Sequence, residues 1–352
     1  MAEFSIGDRP IGPDEPTFVI AEAGSNHNGD LDLAKELIDV AADAGADAVK
    51  FQTFRAEDMY VEDSGEAEYL EDDRSIYQII ESMEMPYEWI PELHDYCRTR
   101  DVYFMSTPFD TRSADELEEY VPAFKIASYT MSHHPFLEHV ASKDRPVLLS
   151  TGAHDLSEVR ESVELLDDAG VADLVLLQCV AAYPTPIESI NVRVVETLNA
   201  EFGVPTGLSD HTLDPITAPS AATALGASVI EKHFTLDSSM EGPDHQFALE
   251  PDQLERMIDA IRATEAALGD GSKVVLPAEE ELHEIARRRI HASETIRAGE
   301  TITEDNVEIL RSGKQKQGIE PKFYDHVLGA TVVRDLEKDE GVTWDDVDVS
   351  KR

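Results

Sequence analysis

Short apolar runs recur along this chain, each ending in polar residues and followed by a stretch with helical spacing. Eight such runs stand at Thr17–Gly24, Ala48–Phe54, Val102–Pro108, Phe124–Tyr129, Val147–Gly152, Leu174–Val180, Thr206–Asp210 and Ser228–Phe234. They are near-continuous in apolar residues, as parallel strands covered on both faces are. Strand followed by helix, eight times, predicts an α/β fold of the TIM (β/α)8 barrel kind. The helices carry their own punctuation. Asp30 is placed to cap a helix over Leu31–Ala44 with Leu33, Leu37, Val40 and Ala41 on its apolar face, and Gly45 stops it. Asp155 can cap another helix running to Ala169, and the last barrel helix covers about Pro251–Leu268.

Two interruptions shape the domain plan. Arg55 to Glu84 is long, acidic and poorly periodic, and long loops on the catalytic face of a barrel often serve as lids or substrate loops. Later, Gly269-Asp270-Gly271-Ser272 and Pro277 break the rhythm. We therefore expect a barrel over 1–275, a charged helix-like linker over 276–289 and a small, mainly-β domain over 290–352. Two phrases in that last part repeat each other, Ile296–Val307 and Leu336–Val347. Each has an apolar residue, a Gly turn, a second strand and a short acidic turn.

Composition narrows the function. Lys and Arg number 29 against 73 Asp and Glu, a formal charge of -44 over 352 residues. That excludes a nucleic-acid binder working through a basic face and disfavours anionic membrane surfaces. Such a charge repels itself at low salt, whereas in molar salt the screening length is about 3 Å. The balance suggests adaptation to a salty, halophilic cytoplasm. Cys97 and Cys179 form no metal or CxxC pattern, so no disulfide framework is expected. No run is long enough to span a membrane and the first residues lack a basic-then-apolar signal region, so a soluble cytoplasmic protein is the expectation.

The run ends carry the chemistry. They offer Glu22, Lys50 and Gln52, Ser106 and Thr107, Lys125 and Ser128, Ser150, Gln178 and Tyr183, Ser209 and His211, then Glu231 and His233. In a barrel these ends meet at one mouth. Two ammonium groups (Lys50, Lys125) and three hydroxyls (Ser128, Ser150, Ser209) suit a phosphate or carboxylate. The plain alternative is that each lysine pairs with a neighbouring carboxylate, but lysines inside apolar strands at the open face favour a ligand. His211 and His233 end adjacent strands and could share a divalent metal with positions left for water or substrate. A hydrogen-bonded core histidine would give the same spacing. Glu22, Glu231 and Asp244 supply carboxylates that could position a water or move a proton, or could simply bridge Lys50 or Lys232. His27 and His245 read as loop residues.

The same residues carry a resemblance. Ile20–Gly29 (IAEAGSNHNG) resembles the opening of the sialic acid (N-acetylneuraminate) synthases, as do Lys50–Thr53 (KFQT), Ser106–Phe109 (STPF), Lys125–Ser128 (KIAS) and Leu149–Gly152 (LSTG). The match continues through Tyr183–Pro186 (YPTP), Gly207–Thr212 (GLSDHT), Glu231–Phe234 (EKHF) and Gly242–Asp244 (GPD), and so covers nearly the whole chain. The last 60 or so residues resemble the antifreeze-protein-like SAF domain that follows the barrel in that family. The resemblance implies condensation of phosphoenolpyruvate and water with an N-acyl hexosamine such as N-acetylmannosamine, giving a nine-carbon 2-keto acid and phosphate. It implies that Lys50, Lys125, Ser128, Ser150 and Ser209 hold phosphoenolpyruvate, with Gln52, Thr107 and Tyr183 completing the substrate set. It implies a divalent metal at His211 and His233, Mn2+ first and Mg2+ or Co2+ as substitutes. It makes Glu22, Asp244 and Lys50 the catalytic groups, the two carboxylates positioning water. It also implies a domain-swapped homodimer in which Arg311 of one subunit reaches the sugar's acyl group in its partner.

Two positions depart from the family pattern. Thr130 stands where the family usually has a sugar-contacting glutamate, and Val180-Ala181-Ala182 stands where Thr, Ser or Asn often follow the cysteine. The phosphoenolpyruvate half is thus intact and the sugar half altered, which points to a related N-acyl sugar, such as a legionaminate or pseudaminate precursor. Two other readings compete. A 3-deoxy-sugar-acid synthase would need a second phosphate site for its phosphorylated aldose, and no spare basic cluster is evident. A non-catalytic glycan-binding protein would explain the altered half but not the retained lysines and histidines.

Overall fold

The computed structural model describes residues 4–65 and 74–351. The chain divides into two compact units, Met1–Gly269 and Asp270–Arg352. The first opens with an antiparallel hairpin, β1 (Phe4–Ile6) and β2 (Arg9–Ile11), which the hydropathy pattern did not announce. Eight parallel strands follow: β3 (Phe18–Gly24), β4 (Ala48–Thr53), β5 (Tyr103–Pro108), β6 (Phe124–Ile126), β7 (Val147–Ser150), β8 (Leu174–Cys179), β9 (Thr206–Asp210) and β10 (Val229–His233). Their order is β5-β4-β3-β10-β9-β8-β7-β6, and β5 lies beside β6 without a hydrogen-bonded ladder. This is the predicted barrel. The β6 strand is shorter than the apolar run, because the chain turns into a 3-10 helix at Ser128–Thr130.

Helices form where the caps predict them. The Asp30 side chain accepts from the Asp32 and Leu33 amides and starts a helix over Leu31–Asp43, and Asp155 with Glu158 makes a capping box for Leu156–Asp168. The first helix buries Ala34, Leu37, Ile38 and Ala41, so its inner stripe is rotated from the expected one and leaves Leu33 and Val40 half-buried. The acidic segment after β4 contains two short helices, Ala56–Met59 and Ile76–Ser82; its residues 66–73 lie outside the described part.

The period of two along each strand sorts the side chains into two cores. Val19, Ala21, Val49, Phe51, Phe104, Phe124, Leu149, Leu176, Leu208 and Ile230 face outward and pack under the helices. Phe18, Ile20, Ala48, Met105, Ala123, Leu148, Val175, Leu177 and Val229 face inward and fill the lower barrel, joined there by Phe4, Ile6 and Ile11 of the hairpin. Gly207 keeps β9 against β10, since a Cβ there would stand 2.2 Å from the Val229 carbonyl oxygen. Continuing the inward register upward gives Glu22, Lys50, Gln52, Thr107, Lys125, Ser150, Cys179, Ser209, Glu231 and His233.

The second unit pairs β11 (Arg288–Ala292) with β12 (Val307–Arg311) and β13 (Thr331–Val332) with β14 (Val347–Asp348). Its repeated phrases face each other: Ile296 and Leu336 exchange backbone hydrogen bonds of 2.9 and 2.8 Å. Equivalent positions do equivalent work. Glu300 accepts from the Arg297 amide as Glu340 does from Glu337, and Asn306 accepts from the Thr303 amide as Asp346 does from Thr343. Among the described residues, no helix is long and apolar enough to cross a membrane.

Candidate active site

Each inward polar side chain stands at the C-terminal end of its strand, and together they form a charged ring. The Lys50 ammonium lies 2.7 Å from Glu22, donates to Thr107 Oγ1 at 2.9 Å and is 3.7 Å from Glu231. The Lys125 ammonium lies 3.7 Å from the same Glu231 oxygen. Gln52 donates to Glu22 at 3.0 Å, and Ser209 donates to Glu231 at 3.2 Å. These lysines, with Glu22 and Glu231, are buried, so carboxylates balance the lysine charge where water cannot. The lysines are thus paired with carboxylates, and they line the mouth of the barrel.

Burial shifts the titration of this ring. It pushes Glu22 up to about 7 against the pull of Lys50. Burial also lowers Lys125, and the charge of Glu231 only partly offsets this. Several polar atoms in the ring have no protein partner. They include the Ser150 hydroxyl and one oxygen of Glu231, both buried. Ser128 accepts from the Gly152 amide at 2.9 Å, which fixes it beside Cys179.

The two histidines come together as expected. Their ring centroids are 5.5 Å apart, and Tyr183 packs on His211 at 4.2 Å. His211 Nδ1 lies 2.9 Å from the Val180 carbonyl oxygen; a proton assigned there leaves Nε2 with a free lone pair. Burial, with the nearby positive groups, holds His233 well below the usual histidine range, so it is neutral. Its Nδ1 is a buried nitrogen with no protein partner. Gly24, at φ +55°, closes this corner, and a Cβ there would meet Asp244 Oδ2 at 2.9 Å and His233 Cε1 at 3.6 Å. Burial pushes Asp244 up to about 6. Burial lowers His211 as well, but Cys179, the Val180 carbonyl and Asp210 together hold it above the usual histidine range. Two imidazoles, His233 neutral and His211 deprotonated on binding, are donors that fit a divalent ion whose other positions go to water or substrate. Among the described residues no group of three or more His, Cys, Asp or Glu could hold an ion by itself.

Some run-end residues turn away. Ser106 bonds Thr53 at 2.7 Å on the outer face, and Gln178 donates to the Ile190 carbonyl at 3.0 Å. Arg311 lies at the exposed end of β12, opposite Arg288 in register. His27 sits in a turn, as expected, whereas His245 opens a short 3-10 helix, His245–Phe247, and both are buried. His27 accepts from the Gly29 amide at 3.1 Å and meets Trp89 edge-on, and burial lowers it to about 4. His245 Nδ1 lies 2.6 Å from the Thr235 hydroxyl. The run ends did not single out Cys179, whose sulfur lies 3.9 Å from His211 Nδ1, or the Asp210–Lys232 pair behind the histidines. Strict alternation from Val175 and Leu177 turns Cys179 inward, and from Ser209 and Glu231 it turns Asp210 and Lys232 outward.

A parallel barrel with its polar groups gathered at the C-terminal strand ends is the architecture of a barrel enzyme. The chain belongs to the NeuB family, whose model matches residues 37–273, and a SAF domain matches residues 287–348. It is 44% identical over 364 residues to the spore coat polysaccharide biosynthesis protein SpsE of Bacillus subtilis, covering 99% of this chain and 98% of that protein. It is 38% identical over 331 residues to an N,N'-diacetyllegionaminic acid synthase of Campylobacter jejuni, covering 92% and 98%. Among solved structures, the N-acetylneuraminic acid synthetase of Leptospira borgpetersenii superposes with a TM-score of 0.73 at 32% identity, over 80% of this chain and 95% of that one.

Proposed function

We propose that this protein condenses phosphoenolpyruvate and water with an N-acyl hexosamine, N-acetylmannosamine or a related sugar, to give a nine-carbon 2-keto acid and phosphate. The observation that carries the reading is the single inward ring that joins Lys50, Lys125 and Ser150 to the His211–His233 pair. In this reading Lys50, Lys125, Ser128, Ser150 and Ser209 hold the phosphate and carboxylate of phosphoenolpyruvate, with Gln52, Thr107 and Tyr183 around them. The unpartnered Ser150 hydroxyl is free to donate to an incoming oxygen. C3 of phosphoenolpyruvate bonds to the sugar's aldehyde carbon, and the aldehyde oxygen takes a proton. Water adds at C2, and the C2–O bond to phosphate breaks. Glu22 and Asp244, both raised toward neutrality by burial, orient that water and accept its proton. The lysine charge stabilises the departing phosphate. His211 and His233 would hold a divalent metal, Mn2+ or in its place Mg2+ or Co2+, which would supply Lewis acidity for the attack on the aldehyde.

The sugar half is where this chain differs. Thr130, Ala181 and Ala182 offer fewer charged or hydroxyl contacts than a glutamate and a Thr or Ser would, so a sugar bearing an acyl group in place of a hydroxyl fits better. Relatives named as legionaminic and pseudaminic acid synthases support that direction. Arg311, donated by a partner subunit in a domain-swapped homodimer, would bind the acyl group. The excess of acidic residues is matched to a salt-rich cytoplasm.

The test is phosphate release from phosphoenolpyruvate in about 1 M KCl, where screening is short, with Mn2+ and a panel of unphosphorylated N-acyl hexosamines. Release that requires both metal and one such sugar, with a nine-carbon product by mass, is expected. Release with a phosphorylated aldose alone, or none with any N-acyl sugar, overturns the reading.

A further inference from the structure

The outer face of the barrel holds a buried charge pair directly behind the two histidines. Asp210 and Lys232 are register partners on β9 and β10, and both are fully buried between sheet and helices. Their neighbours on that same outer face, Leu208 and Ile230, are apolar. The Lys232 ammonium pairs with Asp210 and donates to the Thr212 carbonyl at 2.6 Å and hydroxyl at 3.2 Å. Asp210 in turn accepts from the Thr212 amide at 2.9 Å and hydroxyl at 3.0 Å. Every charge is satisfied, yet burying such a pair gains little over packing apolar residues of the same size. Its location gives it a use. The β9–β10 ladder ends at Asp210 and Lys232. His211 and His233 come one residue later, so no backbone ladder joins them. Asp210 and Thr212 flank His211, Lys232 precedes His233, and all three are tied together.

We infer that Asp210, Thr212 and Lys232 form a positioning knot that sets the distance and angle between the His211 and His233 imidazoles. The inference rests on the proposed metal role of those histidines. In a side chain's absence from the metal itself, outer partners act by holding the ligands in place, and their loss typically weakens metal binding. The knot does for the ends of two strands what a further rung of the ladder would do, and it does so from the face opposite the substrate.

Mn2+ binding followed by electron paramagnetic resonance tests this without turnover. The double variant Asp210→Leu/Lys232→Met replaces both charges with apolar groups of similar volume. It should fold, with unchanged far-UV circular dichroism, and bind Mn2+ about 10- to 100-fold more weakly than the parent. Thr212→Val leaves the charge pair and removes only the hydroxyl's bonds. It should weaken Mn2+ by about 2- to 10-fold, with metal-free phosphoenolpyruvate affinity held within about twofold. Mn2+ affinity equal to the parent's in folded Thr212→Val overturns the knot, as does an equal loss of phosphoenolpyruvate affinity, which would mark a general structural role. If the double variant does not fold, Thr212→Val decides alone. A parent protein that binds no Mn2+, or binds it equally well as His211→Ala/His233→Ala, overturns the metal reading itself and the knot with it.

Discussion

The lower and upper halves of the barrel interior are built on the same strands, two to four residues apart, and differ in kind. Ile20, Ala48, Leu148 and Val229 fill the lower half and need nothing but each other. Glu22, Lys50, Ser150 and Glu231, two residues further along each strand, are equally buried and carry charges or unpartnered oxygens. Apolar burial stabilises in proportion to area, whereas the upper ring must offset the desolvation of each charge. The lower half therefore holds the fold, and the upper half can be arranged for chemistry at a cost the lower half covers.

The largest expected effect that separates the halves comes from the upper one. Lys125→Met should cut kcat/KM for phosphoenolpyruvate by about 10²- to 10³-fold, the range seen when one charge-stabilising donor is lost, with Tm unchanged or raised. A matching fall in Tm would erase the comparison. Leu148→Ala should do the reverse: urea unfolding should show a loss of about 2–5 kcal/mol, with KM for phosphoenolpyruvate within about twofold. Salt sharpens the contrast further. Lowering KCl from about 1 M to about 0.1 M lengthens the screening distance from about 3 to about 10 Å. The parent's Tm should fall by about 3 °C or more, the shift produced by about 1 kcal/mol. The Tm difference between parent and Lys125→Met should stay constant, because buried charges are screened far less.

The smallest effect concerns pH. Burial raises the Glu22 carboxyl in the folded barrel from 4.5 to about 7. Its contribution to stability is complete below about 4.5 and is lost as pH climbs to about 7. Stability should decline across that window, and Glu22→Gln should flatten the decline. An unchanged slope in calorimetry at pH 5, 6 and 7 would show that Glu22 is not strained by its place in the ring.

The strands were legible because both faces of each are covered, so their runs stand out as continuous apolar segments. The eight-fold repetition then named the barrel. The hairpin of Phe4–Ile6 and Arg9–Ile11 escaped because strands of three residues carry too short a pattern to register. At the mouth, Lys50, Lys125, His211 and His233 were legible as polar groups ending apolar runs. Run ends alone could not say which of two adjacent residues faces in, which is why Ser106 looked equivalent to Thr107 and why Gln178 stood in place of Cys179. That distinction lives in the pleat, and one confirmed inward residue per strand resolves it. Burial of His27 and His245 was invisible for a different reason: histidines outside the regular strands and long helices are buried by what folds over them, and no local pattern records that.

The seam between β3 and β10 has a consequence for how the chain is made. Phe18 pairs in register with Val229, 211 residues later. At a synthesis rate of about 5–20 residues per second, β3 emerges from the ribosome roughly 10–40 s before its neighbour exists. Throughout that interval one edge of a growing parallel sheet is open, and so is the apolar floor beneath it. The hairpin is translated before β3, and its Phe4, Ile6 and Ile11 belong to that floor. A nascent chain that makes this plug ahead of the barrel strands can shield the floor while the last strand is still being written.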